Sequence, residues 1–241
     1  FRSLTHPDWV EAMAAQINSK KVKYFRGVFL MLNFWIGNTP NYEMASEVCK
    51  YSLEKFDINV NKLPIFYEGN TSNPFSRTRF LTPVIDKVYS DSEWTFFSDD
   101  DFLFLKNPID ILPDLDSSKT VYVCKHPEYI SNVDIKMDNQ KQTTYPKKNW
   151  GSFMIFNKNK VDLTFEKVFS LSLKDLHQFK WCSEDDIGEL PLEWNWLVGE
   201  YDDIDNANAL HYTLGGAWYD KPYNSKLNQV WLDYKEQMMK K

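Results

Sequence analysis

The stretch from Glu93 to Pro108, EWTFFSDDDFLFLKNP, sets Asp99, Asp100 and Asp101 between two apolar runs. The flanks TFF and FLFL read as buried strand, and the acidic triplet interrupts them. In an extended segment alternate side chains share a direction, so Asp99 and Asp101 converge while Asp100 points elsewhere. Carboxylates packed this closely repel, and each is driven toward protonation unless a cation neutralises them. A hard divalent ion, Mg²⁺ or Mn²⁺, suits such oxygen ligands and keeps coordination places for water and phosphate oxygens. The competing reading is a solvated turn after a strand. The apolar flanks argue against it, because they anchor the turn in the core.

Upstream, VFLMLNFWIG is continuous, apolar and partly β-branched, the pattern of a strand covered on both faces, and it stops at the turn signal GNTPN. YEMASEVCKYSLEKF spaces Ala45, Val48, Cys49 and Leu53 for a helix, and KLPIFYEG follows as a second strand. SRTRFLTPVIDKVY predicts a helix interrupted near Pro83, and EWTFFSD a third strand that ends at the aspartates. Downstream, TVYVCKH and GSFMIFN read as strands on either side of a long polar excursion, ISNVDIKMDNQKQTTYPKKNW, which reads as functional or locally flexible. VDLTFEKVFSLSLKDLHQF reads as helical, SKLNQVWLDYKEQMMKK as a closing helix, and HPDWVEAMAAQIN as a short helix near the start. Strand, helix, strand is the opening of a parallel sheet. The expected class is therefore α/β: a mixed, mainly parallel, Rossmann-like sheet flanked by helices. Its third strand delivers the carboxylates to the carboxyl edge, where open α/β sheets bind ligands.

The chain of 241 residues suits one substantial domain, expected over 31–241, with residues 1–30 an extension of unassigned role. With 43% apolar residues and only 8 glycines it has enough surface to bury, which excludes a disordered chain. The net charge of −6 argues against nucleic acid or an anionic membrane as partner. Cys49, Cys124 and Cys182 have no paired spacing, so neither a disulfide framework nor a zinc site is suggested, and a reducing, cytoplasmic setting is expected. The longest apolar run, residues 27–37, falls short of the roughly 20 residues of a membrane helix, so no integral membrane segment is expected.

Two further constellations carry chemistry. In ALHYTLGGAWYDKPY, residues 209–223, His211 ends a β-like run, Gly215 and Gly216 admit close backbone approach to a ligand, and Lys221 adds positive charge. That set suits a metal-bound diphosphate. In WCSEDDIGELPLEWNWLVGEY, residues 181–201, Glu184, Asp185 and Asp186 precede Trp194 and Trp196. Carboxylates orient sugar hydroxyls or take a proton from one, and indole faces stack on pyranose rings, although core packing is the default for both tryptophans.

SRTRFLTPVIDKVYSDSEWTFFSDDDFLFLKNP resembles the segment of GT-A-fold glycosyltransferases in which an Arg-bearing helix leads into a strand and the Asp-x-Asp motif. NWGSFMIFN is similar to their Gly-containing strand behind the donor sugar, and HYTLGGAWYDKPY to the C-terminal His/Gly element of glycogenin-like transferases. KMDNQKQTTYPKKNWGSFMIFN with LPLEWNWLVGEY also resembles a narrower group from bacteria and large algal viruses of the chlorovirus type, which makes host cytoplasm the expected setting for a viral source. The resemblance implies a metal-dependent transferase that moves a sugar from a nucleotide-diphosphate donor, a UDP-sugar, to a glycan hydroxyl, with retention favoured. It implies Asp99, Asp101 and His211 as ligands of Mn²⁺ or Mg²⁺. Trp35, Gly37, Asn38, Arg79, Asp99, Asp100, Gly151, Gly216 and Lys221 would contact the donor, and Asp185 and Asp186 would face the transferred sugar and acceptor as catalytic carboxylates. Two other readings stand beside it: an aspartate-dependent phosphohydrolase and a non-enzymatic carbohydrate-binding module.

Overall fold

The computed structural model describes residues 32–65, 75–128, 130–131, 133–136, 140–141, 145–220 and 222–241. All belong to the unit Met31–Lys241. The helix expected at 7–19, the extension 1–30, the first residues of the first strand and the end of KLPIFYEG lie outside the described residues.

A six-stranded sheet forms the centre. It contains β1 (Asn33–Ile36), β2 (Asn59–Lys62), β3 (Trp94–Ser98), β5 (Val121–Cys124), β8 (Phe153–Asn157) and β9 (Ile187–Leu190), in the order β2-β1-β3-β8-β5-β9. Every strand runs parallel except β8, which pairs antiparallel with both β3 and β5. The carboxyl ends of β1, β3, β5 and β9 and the start of β8 therefore share one edge. This is the mixed, mainly parallel α/β class expected from the sequence.

A second sheet has the order β10-β11-β4, with β4 (Phe102–Phe104) antiparallel to β11 (Ala209–His211) and β10 (Trp196–Leu197) parallel to β11. A third ladder, β6 (Ile135–Lys136) with β7 (Gln140–Lys141), lies within the polar excursion.

Helix α1 (Glu43–Glu54) buries Ala45, Val48, Cys49 and Leu53, as their spacing predicts. β2 lies a few residues before the expected KLPIFYEG strand. It is an edge strand with exposed to half-buried residues, so it needs no apolar run, and the Asn59 amide donates to the Asn33 side chain at 2.6 Å across the pair. The run expected to break near Pro83 does so there: a 3₁₀ turn, Thr78–Leu81, gives way to α2 (Thr82–Asp86), the fixed φ of Pro83 suiting its first turn. The helix expected over 161–179 is split into α3 (Phe165–Ser170) and α4 (Leu173–His177), because Leu171 is extended and the Ser172 hydroxyl caps a new start at Asp175 N–H. Helix α5 (Leu227–Met239) closes the described chain, burying Leu227 and Trp231. The three cysteines are free, and among the described residues no helix is long and apolar enough to cross a membrane.

One face of the central sheet carries a phenylalanine cluster in which Phe34 stacks on Phe96 at 5.5 Å and meets Phe104 edge-on at 5.2 Å. On the other face the fully buried Asp86 carboxylate accepts hydrogen bonds from Asn33 Nδ2 and Trp35 Nε1, each at 2.9 Å, and from Lys158 Nζ at 2.7 Å. Every lone pair that matters is engaged, so this charge is tolerated. Lys158→Met strands it, and urea denaturation is expected to register a loss of roughly 3–5 kcal/mol, with the double variant Asp86→Asn/Lys158→Met recovering part of it.

Candidate active site

β3 ends at Ser98 and β4 begins at Phe102, so Asp99, Asp100 and Asp101 are the link between the two large sheets. The link is held at both ends: Asp99 N–H donates to Ser152 O at 2.8 Å, and Asp101 O accepts from Tyr212 N–H at 3.0 Å. The β4–β11 ladder places His211 opposite Phe102, with the rings stacked at 4.4 Å. One ligand atom each from Asp99, Asp101 and His211 then lies within 4.8 Å of the others, and His211 Nε2 is 3.4 Å from Asp101 Oδ1.

Asn195, which sequence reading missed, sets the chemistry of that imidazole. Its amide nitrogen donates to Asn149 O at 3.1 Å and Ser152 Oγ at 2.8 Å, so its oxygen faces His211 Nδ1 at 2.9 Å. Nδ1 therefore carries a proton, and Nε2 faces Asp101. An imidazole nitrogen facing a carboxylate, with a second carboxylate alongside, is an arrangement that suits a hard divalent cation. The donor set fits Mn²⁺ or Mg²⁺. The only sequence signal for Asn195 was an amide set between Trp194 and Trp196.

Charge around the cluster is unevenly balanced. Arg79 Nη1 lies 2.9 Å from Asp99 Oδ1 and donates to Gly151 O at 2.8 Å, while the guanidinium packs over Phe75 and Phe97. Burial pushes the Asp99 carboxyl up to about 7 against the pull of Arg79, with Asp101 adding to the rise. Burial, then Asp101, lifts Asp100 to about 6, opposed by its hydrogen bonds. Asp100 accepts from Thr39 N–H at 2.6 Å, Thr39 Oγ1 at 3.1 Å and Ser46 Oγ at 2.7 Å, and it is buried. These bonds tie Asp100 to the loop after β1 and to the start of α1.

The other expected residues divide. Gly37 and Asn38 lie at the carboxyl end of β1, on the edge that carries the cluster. Gly37 N–H bonds Ser98 O at 2.9 Å, the Phe75 ring comes within 2.5 Å of where a Cβ would sit, and Asn38 Nδ2 bonds Leu63 O at 3.2 Å. Gly151 borders Arg79. Strand alternation turns Trp35 to the opposite face, onto Asp86. At Gly216 the Trp218 ring lies 2.2 Å from a would-be Cβ, so the missing side chain makes room for an indole. Lys221 lies outside the described residues.

Asp185 and Asp186 lie elsewhere. They precede β9, which runs parallel to β5, and Asp186 O accepts from Thr120 N–H at 2.9 Å while Asp185 O accepts from Lys119 Nζ at 2.7 Å. Through the β5–β8–β3 register that level corresponds to Trp94, five positions before Asp99, or about 16 Å along the strand at roughly 3.3 Å per residue. They occupy the amino edge of the sheet, away from the cluster. His126, by contrast, lies just past β5 on the carboxyl edge, with Nδ1 2.8 Å from Tyr201 Oη, and burial holds it neutral, down at about 3.

No protein-family model matches the chain. It is 33% identical over 229 residues to protein CDI of Arabidopsis thaliana, covering 86% of each chain. Among solved structures it is similar to the bifunctional glycosyltransferase WbbM, with a TM-score of 0.57 and 13% identity, over 90% of this chain and 52% of that one. The chain thus spans about half of WbbM. An active-site mutant of LgtC gives a TM-score of 0.57 at 10% identity over 86% of this chain and 96% of that one. The glycosyltransferase GlyE of Streptococcus pneumoniae gives 0.53 at 13% identity over 88% of this chain and 63% of that one. At these identities the likeness is one of fold, the GT-A arrangement.

Two measurements test the cluster. Asn195→Ala is expected to weaken Mn²⁺ binding by roughly 10–100-fold, whereas Asp185→Asn/Asp186→Asn leaves it unchanged, both read by isothermal titration. Because Asp99 and Asp100 have raised carboxyls in the folded chain, their stabilising contribution is full below their unfolded value near 3.8 and is lost as pH climbs through about 6 to 7. In EDTA the melting temperature is expected to fall across that window, with a shallower fall in Asp99→Asn, and Mn²⁺ is expected to raise it more at pH 8 than at pH 5.5.

Proposed function

We propose that this chain, which belongs to the family of the Arabidopsis thaliana protein CDI, is a metal-dependent glycosyltransferase acting on a nucleotide-diphosphate sugar, a UDP-sugar, with a glycan hydroxyl as acceptor. The observation that carries the reading is the convergence of Asp99, Asp101 and an Asn195-oriented His211 at the carboxyl edge of a GT-A sheet. A bound Mn²⁺ or Mg²⁺ supplies Lewis-acid stabilisation of the charge that grows on the departing diphosphate.

The residues around it have separate tasks. Asp99 and Asp101 hold two oxygens at fixed separation, because the backbone on either side is pinned. Arg79 keeps Asp99 oriented and adds positive charge beside the developing anion. The loop from Gly37 to Tyr42, fixed by Asp100, forms the nucleoside side of the crevice. Retention is the favoured stereochemical course. Inversion needs a carboxylate base behind the anomeric carbon, and the distance of Asp185 and Asp186 from the cluster supports the retaining reading. The same displacement weakens the phosphohydrolase reading, which relied on that acidic pair beside the first motif.

Isothermal titration of UDP with and without Mn²⁺ is the direct test, and tight binding only with the metal is expected. Absence of binding by UDP and other nucleoside diphosphates in both conditions would sink the reading. Asp101→Ala is expected to abolish turnover of a panel of nucleotide sugars while the circular dichroism spectrum and melting transition persist. Normal turnover by that variant would remove the metal assignment.

A further inference from the structure

His126 takes no part in the carboxylate cluster, yet it stands on the same edge of the sheet. It is 5% exposed, and its Nε2 is buried with no hydrogen-bond partner among the described residues. A buried polar nitrogen left unpaired carries a free-energy penalty that folded proteins ordinarily avoid, so this atom calls for a partner from outside the chain. The other side of the ring is engaged, Nδ1 sharing a 2.8 Å hydrogen bond with Tyr201 Oη. The backbone is held as well: His126 N–H donates to Cys124 O at 3.0 Å, and His126 O accepts from Trp150 Nε1 at 3.1 Å. Trp150 sits between Asn149, whose carbonyl accepts from Asn195, and Gly151, whose carbonyl accepts from Arg79. One turn thus ties His126 to the residues that orient His211 and Asp99.

Strand register gives the separation. β5 meets β8 at Val123–Met154, and β3 meets β8 at Ser98–Phe153. Carried past the ladders, that register sets His126 about level with Gly151, and Asp99 with Ser152. Two strand spacings, about 10 Å, lie between Asp99 and His126, with the start of β8 between them. Sheet order then arranges a ligand across the gap. The loop after β1 lies on one side of β3, and β8 and β5 lie on the other. A nucleotide sugar is linear: nucleoside, diphosphate and sugar in succession. With the diphosphate at Asp99, Asp101 and His211 and the nucleoside toward β1, the sugar extends over β8 toward His126.

The chemistry of Nε2 narrows the partner. Burial holds the imidazole neutral, and a charge on His211 would add to that effect, so the ring has no charge with which to attract a phosphate or carboxylate. His126 also belongs to no group of three metal-ligating side chains among the described residues. What suits Nε2 is an uncharged group that gives or receives a hydrogen bond, according to whether Tyr201 donates to Nδ1 or accepts from it. A sugar hydroxyl does both.

We propose that His126 Nε2 hydrogen-bonds a hydroxyl of the transferred sugar, with Tyr201 fixing the ring, a role in donor selection that rests on the transferase reading.

The test sets UDP-glucose, UDP-galactose, UDP-xylose, UDP-N-acetylglucosamine and GDP-mannose against UDP and GDP, all in Mg²⁺, for the wild type, His126→Leu and His126→Gln. By isothermal titration His126→Leu is expected to weaken binding of at least one sugar nucleotide roughly 10-fold while its diphosphate binds as before, with a smaller loss in His126→Gln. In ¹⁵N-histidine spectra of the wild type, the His126 ring signals, identified by their loss in His126→Gln, are expected to shift with that sugar nucleotide and to stay in place with the diphosphate. The assignment is overturned if His126→Leu weakens sugar nucleotide and diphosphate alike, if it weakens neither, or if the diphosphate alone moves the ring signals as far. A lower melting temperature in His126→Leu with unaltered ligand binding would mark a nitrogen satisfied by trapped water and would overturn it too. In all these cases diphosphate binding leaves the transferase reading standing, whereas failure of every nucleotide to bind the wild type sinks that reading and the His126 contact together.

Discussion

The pairing of β4 with β11 is the contact on which the rest of the site depends. It sets His211 opposite Phe102, one residue beyond Asp101, and so decides that an imidazole from residue 211 meets carboxylates from residues 99 and 101. Without that ladder the acidic link would end a strand in solvent. With it, the link is clamped between Ser152 on one sheet and Tyr212 beside the other, and its carboxylates lose the freedom to turn away from each other. Preorganisation of this kind is what an electrostatic site requires, since a cluster that relaxed into water would hold a cation weakly.

Clamping has an electrostatic cost, and the surroundings offset only part of it. Arg79 faces one carboxylate, and Asp100 is spread over three donors from the loop and helix after β1, yet burial still leaves Asp99 and Asp100 well above the ordinary carboxylate range. Asp86 on the other face shows the opposite solution. It is as deeply buried but receives a lysine and two amide or indole donors, so its charge is neutralised within the fold. The contrast separates a structural carboxylate, satisfied by protein groups, from a cluster that the fold neutralises only in part.

The site edge follows from strand direction more than from residue type. β8 runs against its neighbours, bringing its leading residues, Asn149 to Ser152, to the carboxyl ends of β3 and β5. Those residues accept from Asn195 and from Asp99 N–H, so one reversed strand supplies support for both halves of the cluster. The segment 190–195 does the corresponding work on the far side, where Asn195 turns its oxygen to His211.

Much of this was legible in the chain itself. Apolar runs bounded by turn residues located β1, β3, β5 and β8, and helical spacing located α1 and α5, because burial imposes those periods on any sequence that forms them. The acidic triplet between two apolar flanks pointed to a carboxylate cluster anchored in the core, and alternation along an extended segment assigned Asp99 and Asp101 to one direction and Asp100 to another. Edge strand β2 escaped, since a strand open to solvent carries no apolar signature. What only the tertiary structure decided was which distant residues reach the triplet. Asn195 gave almost no local signal because its role lies in hydrogen bonds to residues 149, 152 and 211. Asp185 and Asp186 gave a strong one, yet the direction of β9 carries them to the other edge of the sheet. Local sequence determines what a residue is able to do, whereas strand order and direction determine what it meets.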